Sequence, residues 1–547
     1  MTDKLALIAP EIALFITTCV VMIVGLSPAG AVRRGTAFVA AIGLVAAGAI
    51  AQQVGPSEGG LFPGLVPFAK GLIAIIGLML LPLLSGVVDR DEDEAIAAGR
   101  APFNAMRLNR AEFFSFYLFS LTGLMLVASA DDLIWLFLAL ELTSLPTYIM
   151  VTISGRRGTN EQQSQEAGVK YFFLGALGAG IFLYGFALLY GATGTTNLSA
   201  IAETFADQSA EGSLGPIALA GAVVSVIGLG FKIAAVPMHF YTPDVYQGAS
   251  SGVSAMLAFV PKTAGFLAIL LITGAIGWSH GDGGDMLPAE LYYTLWIVAA
   301  ATMTVGNVLA LLQTSVKRLL AYSSIAHSGY MLTGVIAGPG VIGTVAAVEP
   351  SGFWSNGLAA VLFYLLCYGV MNAGAFAVLA CFERHRSGDI DHVDDLRGLH
   401  RTHPHLAAAM LLCLLSLLGL PPLLGFVGKL GLFYAIINSG EYALAVVLAI
   451  NSAIAAFYYL RLAAAVYLDP RDEQRTADVR ATPFNLRPLA AFASAGGVVV
   501  LVLFVQALTS GSLSAATYQP PEARRQTETA PATQSTAPGE PRISARD

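Results

Sequence analysis

Apolar stretches as long as a membrane-spanning helix run through almost the whole of this chain. A helix needs about 20 mostly apolar residues to cross the hydrocarbon core of a bilayer. Of the 547 residues, 56% are hydrophobic and only 12% are charged, whereas about a quarter of the residues of a soluble protein are charged. The fold class predicted from these patterns is an all-α polytopic membrane protein with 14 transmembrane helices. The predicted spans are 5–26, 35–53, 66–88, 112–130, 132–153, 168–191, 216–237, 252–276, 291–312, 318–338, 355–382, 406–432, 442–468 and 486–508.

Basic residues collect in alternate loops between these spans. They are Arg33 and Arg34; Arg90, Arg100, Arg107 and Arg110; Arg156, Arg157 and Lys170; Lys317 and Arg318; Arg384, Arg386, Arg397 and Arg401; and Arg471, Arg475, Arg480 and Arg487. The intervening loops, at 54–65, 192–215, 277–290 and 339–354, contain neither Lys nor Arg. Because basic loops stay in the cytoplasm, both termini are predicted to lie on the outer side. The loop 238–251 is an exception, since it is predicted to be cytoplasmic and has no Lys or Arg.

Four ionisable residues lie well inside predicted spans, namely Glu141, Lys232, Lys262 and Lys429. A charge at the bilayer centre costs roughly 2.5–3.5 kcal/mol on insertion scales, so such residues usually pair with one another or line a pathway. The three lysines lie too far from the span ends for their ammonium groups to reach the interface. A buried lysine beside a carboxylate can gain and lose a proton, so the set predicts charge movement. The alternative for Glu141 is a structural carboxylate that bonds a neighbouring helix, and Pro146 is predicted to unwind its helix.

Prolines predict that two of the lysines lie in interrupted helices. Pro237 follows Lys232 in GLGFKIAAVPMHFYTPDVYQGAS, and Pro421 and Pro422 precede Lys429 in GLPPLLGFVGKLGLFY. Interrupted helices occur at membrane depth only where the backbone lines a cavity or is buried in protein. In transporters they mark the site at which the transported species binds. The sequence therefore predicts a transport site near each of these lysines.

Two histidines are further candidates for proton relay, because imidazole titrates near neutral pH. His327 lies among hydroxyl-bearing residues in LAYSSIAHSGYM, and His239 lies in the polar stretch that follows Pro237. For His327, a structural role within the helix bundle remains the alternative.

Neither a metal nor a redox cofactor is indicated by the sequence. The run that contains His400, His403 and His405 has no Cys or paired carboxylates at ligand spacing, so it is interpreted as a charged connector. No CxxC pair occurs, which leaves no signal for a zinc site or an iron–sulfur cluster. The cysteines, all within or at the edge of predicted spans, are Cys19, Cys367, Cys381 and Cys413. We expect the chain to bind no cofactor, no metal and no nucleic acid.

Three motifs resemble those of one known family. They are FKIAAVPMHFYTPDVYQGAS followed by VPKTAGF, the LRGL loop at Leu396–Leu399, and LPPLLGFVGK. They make the chain similar to the antiporter-like subunits of respiratory complex I, the proton-pumping NADH:quinone oxidoreductase, over roughly residues 1–510. The N type is the most similar, because the M type usually has glutamate where Lys429 stands and the L type carries a long lateral C-terminal helix.

This resemblance implies roles for the ionisable residues. Glu141 would be the carboxylate partner of Lys232, the pumping lysine of a broken span. Lys262 would connect it to Lys429, the lysine that exchanges protons with the outer side. His327 matches a histidine of the tenth span in this family.

The same resemblance implies two inverted five-helix repeats that contain broken helices. Three N-terminal transmembrane helices would occupy residues 1–111, and the two repeats would occupy 112–276 and 291–468. The last transmembrane helix would lie within 469–512. Residues 513–547 are rich in Pro, Ala, Thr, Glu and Arg and are predicted to form a disordered outer tail.

The expected function is proton translocation in the bacterial inner membrane by a non-redox subunit of NADH:quinone oxidoreductase. Electron transfer from NADH to quinone would take place in other subunits. Expected partners are an M-type antiporter-like subunit, small K-, J- and A-type subunits, and the lipid bilayer. A subunit of a multisubunit cation/proton antiporter or of a membrane-bound hydrogenase is the alternative, because these share the fold and the lysines. A purely structural membrane scaffold is a third possibility.

Overall fold

The fold is mostly helical, and its longest helices are apolar. The computed structural model describes residues 2–57, 60–156, 159–210, 213–280, 286–340, 352–384, 388–470, 479–482 and 486–521. Within these residues, ten helices are long and apolar enough to cross a membrane, and four further apolar helices are shorter.

The helices follow one another along the chain with mostly short connections. They are α1 (Thr2–Leu7), α2 (Ala9–Gly25), α3 (Gly30–Arg34), α4 (Thr36–Ala51), α5 (Leu65–Leu84), α6 (Arg90–Ala97), α7 (Arg110–Ala128), α8 (Leu133–Ile153), α9 (Glu161–Thr193), α10 (Leu198–Ala210), α11 (Pro216–Leu229), α12 (Thr242–Gly248), α13 (Ser251–Ile276), α14 (Ala289–Leu311), α15 (Val316–Ala337), α16 (Gly357–Ala380), α17 (Leu399–Thr402), α18 (Pro404–Leu418), α19 (Leu424–Asn438), α20 (Tyr442–Tyr467), α21 (Leu486–Val500) and α22 (Val505–Ala515). Every residue of α13 and α16 is buried, so these two helices form the centre of the bundle.

Both predicted helix interruptions are confirmed. The first separates α11 from α12, and neighbouring helices bond its freed backbone: Thr302 Oγ1 accepts from the Val236 amide (3.0 Å), and Ser328 Oγ donates to the Ile233 carbonyl (2.5 Å). The second separates α18 from α19, where Gly419 has a positive φ of 87° and Ser416 Oγ accepts from the Gly425 amide (3.1 Å). Backbone that is satisfied in this way can remain irregular at membrane depth.

The unwound turn predicted at Pro146 is wrong, because α8 continues through it from Leu133 to Ile153. Side-chain hydroxyls bond the backbone carbonyls just before this proline. Ser144 Oγ donates to the Leu140 carbonyl (2.8 Å), and Ser120 Oγ of α7 donates to the Thr143 carbonyl (2.7 Å). Pro146 removes the amide partner of the Leu142 carbonyl, and these two bonds fasten α8 to itself and to α7 on either side of that carbonyl.

The expectation of an all-helical chain is also wrong in one place. Short strands β1 (Phe382–Arg384), β2 (Gly388–Asp389) and β3 (Val479–Ala481) form an antiparallel sheet in the order β2-β1-β3. These strands of two or three residues connect segments between the long helices. They are too short for the alternation of polar and apolar residues that identifies a strand in a sequence.

Loops predicted on the same side of the membrane contact one another. At one end, Arg90 pairs with Glu383 (2.7 Å), so two basic loops that are distant in the chain meet there. The loop 238–251, which lacks basic residues, lies at this end too, because its Asp244 pairs with Arg318 (2.5 Å) and Lys170 (3.3 Å). This loop thus contributes a carboxylate to the end of the bundle at which these three ion pairs lie. That end is called the basic end below.

The start of the predicted tail is packed at the opposite end of the bundle. Tyr518 donates to the Gly274 carbonyl (3.0 Å), and its ring lies 5.5 Å from each of the Phe62 and Trp278 rings. The amide of Gln519 donates to the Leu61 carbonyl (3.0 Å). Residues 513–521 therefore belong to the packed structure, and the rest of the predicted tail, 522–547, lies outside the described residues.

Candidate functional site

Lys232 lies in the first helix interruption and points its ammonium group at α8. Its Nζ is 3.1 Å from Glu141 Oε1 and 2.5 Å from Ser144 Oγ, and the Leu140 carbonyl lies at 3.5 Å. The side chain of Lys232 is 1% exposed and that of Glu141 is 20% exposed. Glu141 and Ser144 are one turn apart on α8, so one helix face presents both oxygens. The predicted pair of Glu141 and Lys232 is present in the structure.

A small cavity separates Lys232 from Lys262. Its volume is about 10 Å³, and both lysines line it together with Tyr171, Tyr241 and Tyr246. One water molecule needs about 10–15 Å³ of such volume, so the space is close to that of a single water. The two lysines thus border one common cavity, although they lie on different segments.

Lys262 is bound by α15 and not by a carboxylate. Its Nζ donates to the carbonyl and to the hydroxyl of Ser324, the latter at 2.7 Å. The same ammonium lies 4.7 Å from the ring centre of Tyr368, an arrangement in which the aromatic face stabilises a cation. Among the described residues, Lys232 is the lysine of this set that forms a salt bridge.

His327 lies one turn beyond Ser324 on α15 and is hydrogen-bonded at both ring nitrogens. Nδ1 is 2.7 Å from the hydroxyl of Tyr364, and Nε2 is 3.0 Å from the hydroxyl of Tyr459. Its ring centre is 5.1 Å from that of Tyr368, the residue whose ring also contacts Lys262. A histidine with a hydroxyl on each side can receive a proton at one nitrogen and release one at the other.

Lys429 lies in α19, just after the second helix interruption. Its Nζ donates to the carbonyl of Leu418, the last residue of α18, at 2.9 Å. A helix C-terminus carries partial negative charge and unpaired carbonyls, so this position favours a cation. The ammonium also lies 5.0 Å from the ring centre of Tyr330, which packs against His327 with ring centres 5.5 Å apart. Lys262, His327 and Lys429 are therefore connected through aromatic side chains.

Comparison with known proteins identifies the family. The sequence profile described as NADH:quinone oxidoreductase/Mrp antiporter, TM, matches residues 130–455. The chain belongs to this family. It is 34% identical over 516 residues to NADH-quinone oxidoreductase subunit N of Nitrosomonas europaea, an alignment that covers 92% of this chain and 96% of the relative. It is 38% identical over 440 residues to the subunit of that name from Rhodospirillum rubrum, an alignment that covers 79% of this chain and 80% of the relative.

Solved structures agree with this membership. A chain of respiratory complex I from Thermus thermophilus matches with a TM-score of 0.70 and 31% identity, over 92% of this chain and 98% of that one. A chain of the Mrp complex from Dietzia matches with a TM-score of 0.73 and 22% identity, over 96% of this chain and 100% of that one. The second likeness shows the shared fold alone.

Apart from Glu141, sequence reasoning missed the partners of the lysines in this antiporter-family chain. Ser144 lies one turn after Glu141, and Ser324 one turn before His327, so helical spacing from the charged residues was an available signal. Tyr330, three residues after His327, had the same signal. The aromatic neighbours Tyr364, Tyr368 and Tyr459 had none, because they come from other helices. A second buried ion pair, Glu11 with Lys70 (2.7 Å), was missed because both residues lie near the ends of predicted spans.

The remaining candidate histidines lie apart from the lysines. The ring of His239 packs on Phe240 with ring centres 4.7 Å apart, and its Nδ1 has no hydrogen-bond partner within the described residues. The relay role of His239 stays a prediction. His400 stacks on Tyr467 (5.6 Å), and His403 packs on Phe382 (5.1 Å).

Proposed function

We propose that the chain is the N-type antiporter-like subunit of the membrane arm of NADH:quinone oxidoreductase and that it translocates protons. The observation that carries this proposal is the continuity of the interior from Glu141 and Lys232 to Lys429. Each successive lysine is linked to the next by a cavity or by aromatic and imidazole side chains. Buried charges without a transport role would not need to be linked in this way.

The proposed path has three steps. A proton enters from the basic end, taken as the cytoplasmic side, and resides on Lys232, whose affinity for it depends on Glu141. Water in the small cavity passes the proton to Lys262. Tyr368 and His327 then lead to Lys429, from which it leaves on the outer side.

Control of Glu141 offers a means of coupling to the redox reaction. The carboxylate is partly exposed at the surface of this chain, so a charged group of a neighbouring subunit could attract it away from Lys232. Lys232 would then release its proton, because burial disfavours an unpaired charge. Moving one charge against 100 mV requires about 2.3 kcal/mol, which is within the range of a change in a buried ion pair.

We further propose that the chain crosses the bacterial inner membrane fourteen times, with both termini on the outer side. Five spans from α7 to α13 and five from α14 to α20 would form the two inverted repeats, 112–276 and 291–468. Lys232 and Lys429 support this division, because each lies at the interruption of the fourth span in its half. The N-terminal spans 1–111 and the last span, within 469–512, would flank the repeats, and residues 522–547 would form the outer tail.

The chain would take no part in electron transfer and would bind no cofactor. Its proposed partners are an M-type antiporter-like subunit and the small K-, J- and A-type subunits. The name of a relative and the complex to which a solved chain belongs support a place in a multisubunit complex. The types of the partner subunits are those implied by the resemblance of the sequence motifs.

The test is NADH-driven proton uptake into inverted membrane vesicles from a strain with Lys232→Ala. We expect the complex to assemble. Coupled electron transfer and proton uptake should fall below about a tenth of their wild-type rates, a loss that corresponds to about 1.4 kcal/mol or more of activation free energy. Lys170→Ala is the matched control, because this lysine of the basic end is 43% exposed and should leave both rates unchanged. Wild-type rates in assembled Lys232→Ala complex would show that the lysine is structural and would exclude the proposal.

A further inference from the structure

A second buried ion pair lies in the N-terminal helices, on different helices from Lys232, Lys262 and Lys429. Glu11 is in the first turn of α2, and Lys70 is in the second turn of α5. Lys70 Nζ lies 2.7 Å from Glu11 Oε1 and 2.9 Å from Oε2, and it also donates to the Leu7 carbonyl (2.5 Å). The Lys70 side chain is 0% exposed, and that of Glu11 is 4% exposed.

The burial of this pair is unexpected from its position. Lys70 lies five residues after the start of α5, about 7–8 Å along the helix, so its side chain could reach the adjacent aqueous end. It is instead fully enclosed against α2. Because a buried ion pair generally stabilises a fold no more than well-packed apolar side chains do, stability alone does not account for this arrangement.

Ser129 and Leu7 connect the pair to a large cavity at the end of the bundle opposite the basic loops. The cavity has a volume of about 1130 Å³, and its wall includes Leu7, Ser129 and the polar residues Gln53, Asp131 and Asn197. The hydroxyl of Ser129, at the C-terminal end of α7, lies 3.4 Å from Glu11 Oε1 and 3.2 Å from the Met125 carbonyl, so its one hydrogen can be donated to either oxygen. One hydroxyl group therefore lies between the buried carboxylate and a space large enough for many water molecules.

Other charges near the pair are few, as far as the described side chains extend. Helix α4, which packs on both α2 and α5, contains no ionisable residue. Arg110 and Glu112 of α7 lie in its first turn, at the end remote from Ser129. The carboxylate of Asp131 is exposed on the cavity wall. Of the other helices that pack on α5, α13 carries Lys262 and α21 carries Arg487, which bonds Ser85 just beyond the far end of α5. Among the described residues, Lys70 is the charged side chain that contacts Glu11.

We propose that Glu11 and Lys70 form a second proton-binding site, which exchanges protons through this cavity with the aqueous phase opposite the basic loops. Uptake converts the Glu11 carboxylate to a carboxyl group, with the proton delivered from cavity water through the Ser129 hydroxyl. Release returns the proton along the same route and restores the ion pair with Lys70. The site is independent of the path through Lys232, and its proton exchange does not require that path to operate.

The direct test is pH-difference infrared spectroscopy of the purified, assembled complex between about pH 8 and 5, a range that covers carboxyl groups shifted by burial. We expect a titrating carboxyl signal in the wild type that is lost in Glu11→Gln. In Lys70→Met the signal should move to higher pH by about one unit or more, because the opposing charge is gone. Asp131→Asn is the matched control and should retain the buried-carboxyl signal, since it changes an exposed carboxylate on the same cavity.

A second measurement separates this site from the proposed pumping path. Inverted vesicles are loaded with buffers of different pH, so that the lumen bathes this end of the bundle, and NADH oxidation is followed at a fixed external pH. Glu11→Gln should alter the dependence on lumenal pH, whereas Lys232→Ala should abolish coupled turnover at every lumenal pH and retain the infrared signal of Glu11.

Superimposable infrared spectra of the wild type and assembled Glu11→Gln would overturn the proposal. If the Glu11→Gln complex does not assemble, a carboxyl signal in Lys70→Met that titrates at the same pH as in the wild type would also overturn the proposal. Wild-type turnover in Lys232→Ala would contradict the proposed pumping path. If Glu11→Gln lost the carboxyl signal in the same experiments, the second proton-binding site would still be supported.

Discussion

The ammonium group of Lys232 lies nearer to Ser144 Oγ, at 2.5 Å, than to Glu141 Oε1, at 3.1 Å. Both oxygens come from one turn of α8, and neither is displaced by the proline that follows in this helix. Lys232 is thus bound by a neutral hydroxyl as well as by a carboxylate. The hydroxyl remains a partner when Glu141 moves away, so it can keep the lysine in place while its proton affinity changes.

Removing the hydroxyl should weaken proton transfer without abolishing it. Ser144→Ala deletes one hydrogen bond to a charged group, an interaction worth about 1.5–3 kcal/mol, so we expect the coupled rate to fall about tenfold. The measurement is the rate of NADH-driven proton uptake into inverted vesicles, together with the rate of NADH oxidation. Ser120→Ala is the control, because this hydroxyl bonds the Thr143 carbonyl (2.7 Å) on the same helix and should have a smaller effect. Equal losses in both variants would mean that helix packing, and not contact with Lys232, causes the effect.

Lys232→Arg separates the charge of this side chain from its ability to lose a proton. Arginine keeps a positive charge opposite Glu141 but is not deprotonated in proteins. We expect assembled complex with proton uptake reduced to a similar extent as in Lys232→Ala. Assembly is measured by blue native electrophoresis and transport by a trapped pH dye. Coupled pumping at the wild-type rate in Lys232→Arg would contradict a role for this residue as a proton carrier.

Neighbouring tyrosines of α20 provide a matched test of the His327 connection. Tyr459 bonds His327 Nε2 (3.0 Å), whereas Tyr458 bonds Asn307 Oδ1 (3.0 Å), and both side chains are 1% exposed. Tyr459→Phe should reduce proton uptake more strongly than Tyr458→Phe, because it removes a hydrogen-bond partner of His327, which lies on the proposed path. The two substitutions delete the same atom from equally buried sites, so their effects on packing should be similar. A greater loss in Tyr458→Phe would place the path on the asparagine side of the bundle.

The ion pair of Asp389 with Lys317 (3.2 Å) at the basic end should affect stability rather than pumping. Burial raises the pKa of Asp389, but Lys317 and the hydrogen bonds from Ser251 lower it by more, so the net shift is downward. A lowered pKa contributes stability above the ordinary value of about 4, and this contribution is lost as the pH falls through the pKa in the folded state. The carboxylate is therefore charged throughout pH 6–8.

Asp389→Asn should accordingly lower the thermal stability of the purified complex equally at pH 6 and pH 8, by on the order of 2 kcal/mol. The pH profile of proton uptake should keep its shape. Asp469→Asn is the control, because that carboxylate is 40% exposed and its pair with Arg397 should contribute little. A change in melting temperature confined to one of the two pH values would contradict the lowered pKa.

The local sequence determined the features that depend on residue type and spacing. Apolar runs identified the long helices, because a bilayer requires about 20 such residues, and prolines located both interruptions at Lys232 and Lys429. The cost of a buried charge identified the candidate lysines one at a time. Spacing along one helix could also have indicated Ser144, since it shares a face of α8 with Glu141.

Only the tertiary structure decided which groups surround each charge. Lys262 meets Ser324, and Lys429 meets the Leu418 carbonyl, because separate helices pack side by side, and no local pattern records that packing. The continuity of α8 through Pro146 is likewise visible only in the folded structure. For Glu11 and Lys70, which lie in the first and third predicted spans, burial as a pair follows from the contact of two helices. Charge near a span end is usually solvated, so nothing short of the folded arrangement distinguishes these two from ordinary interface residues.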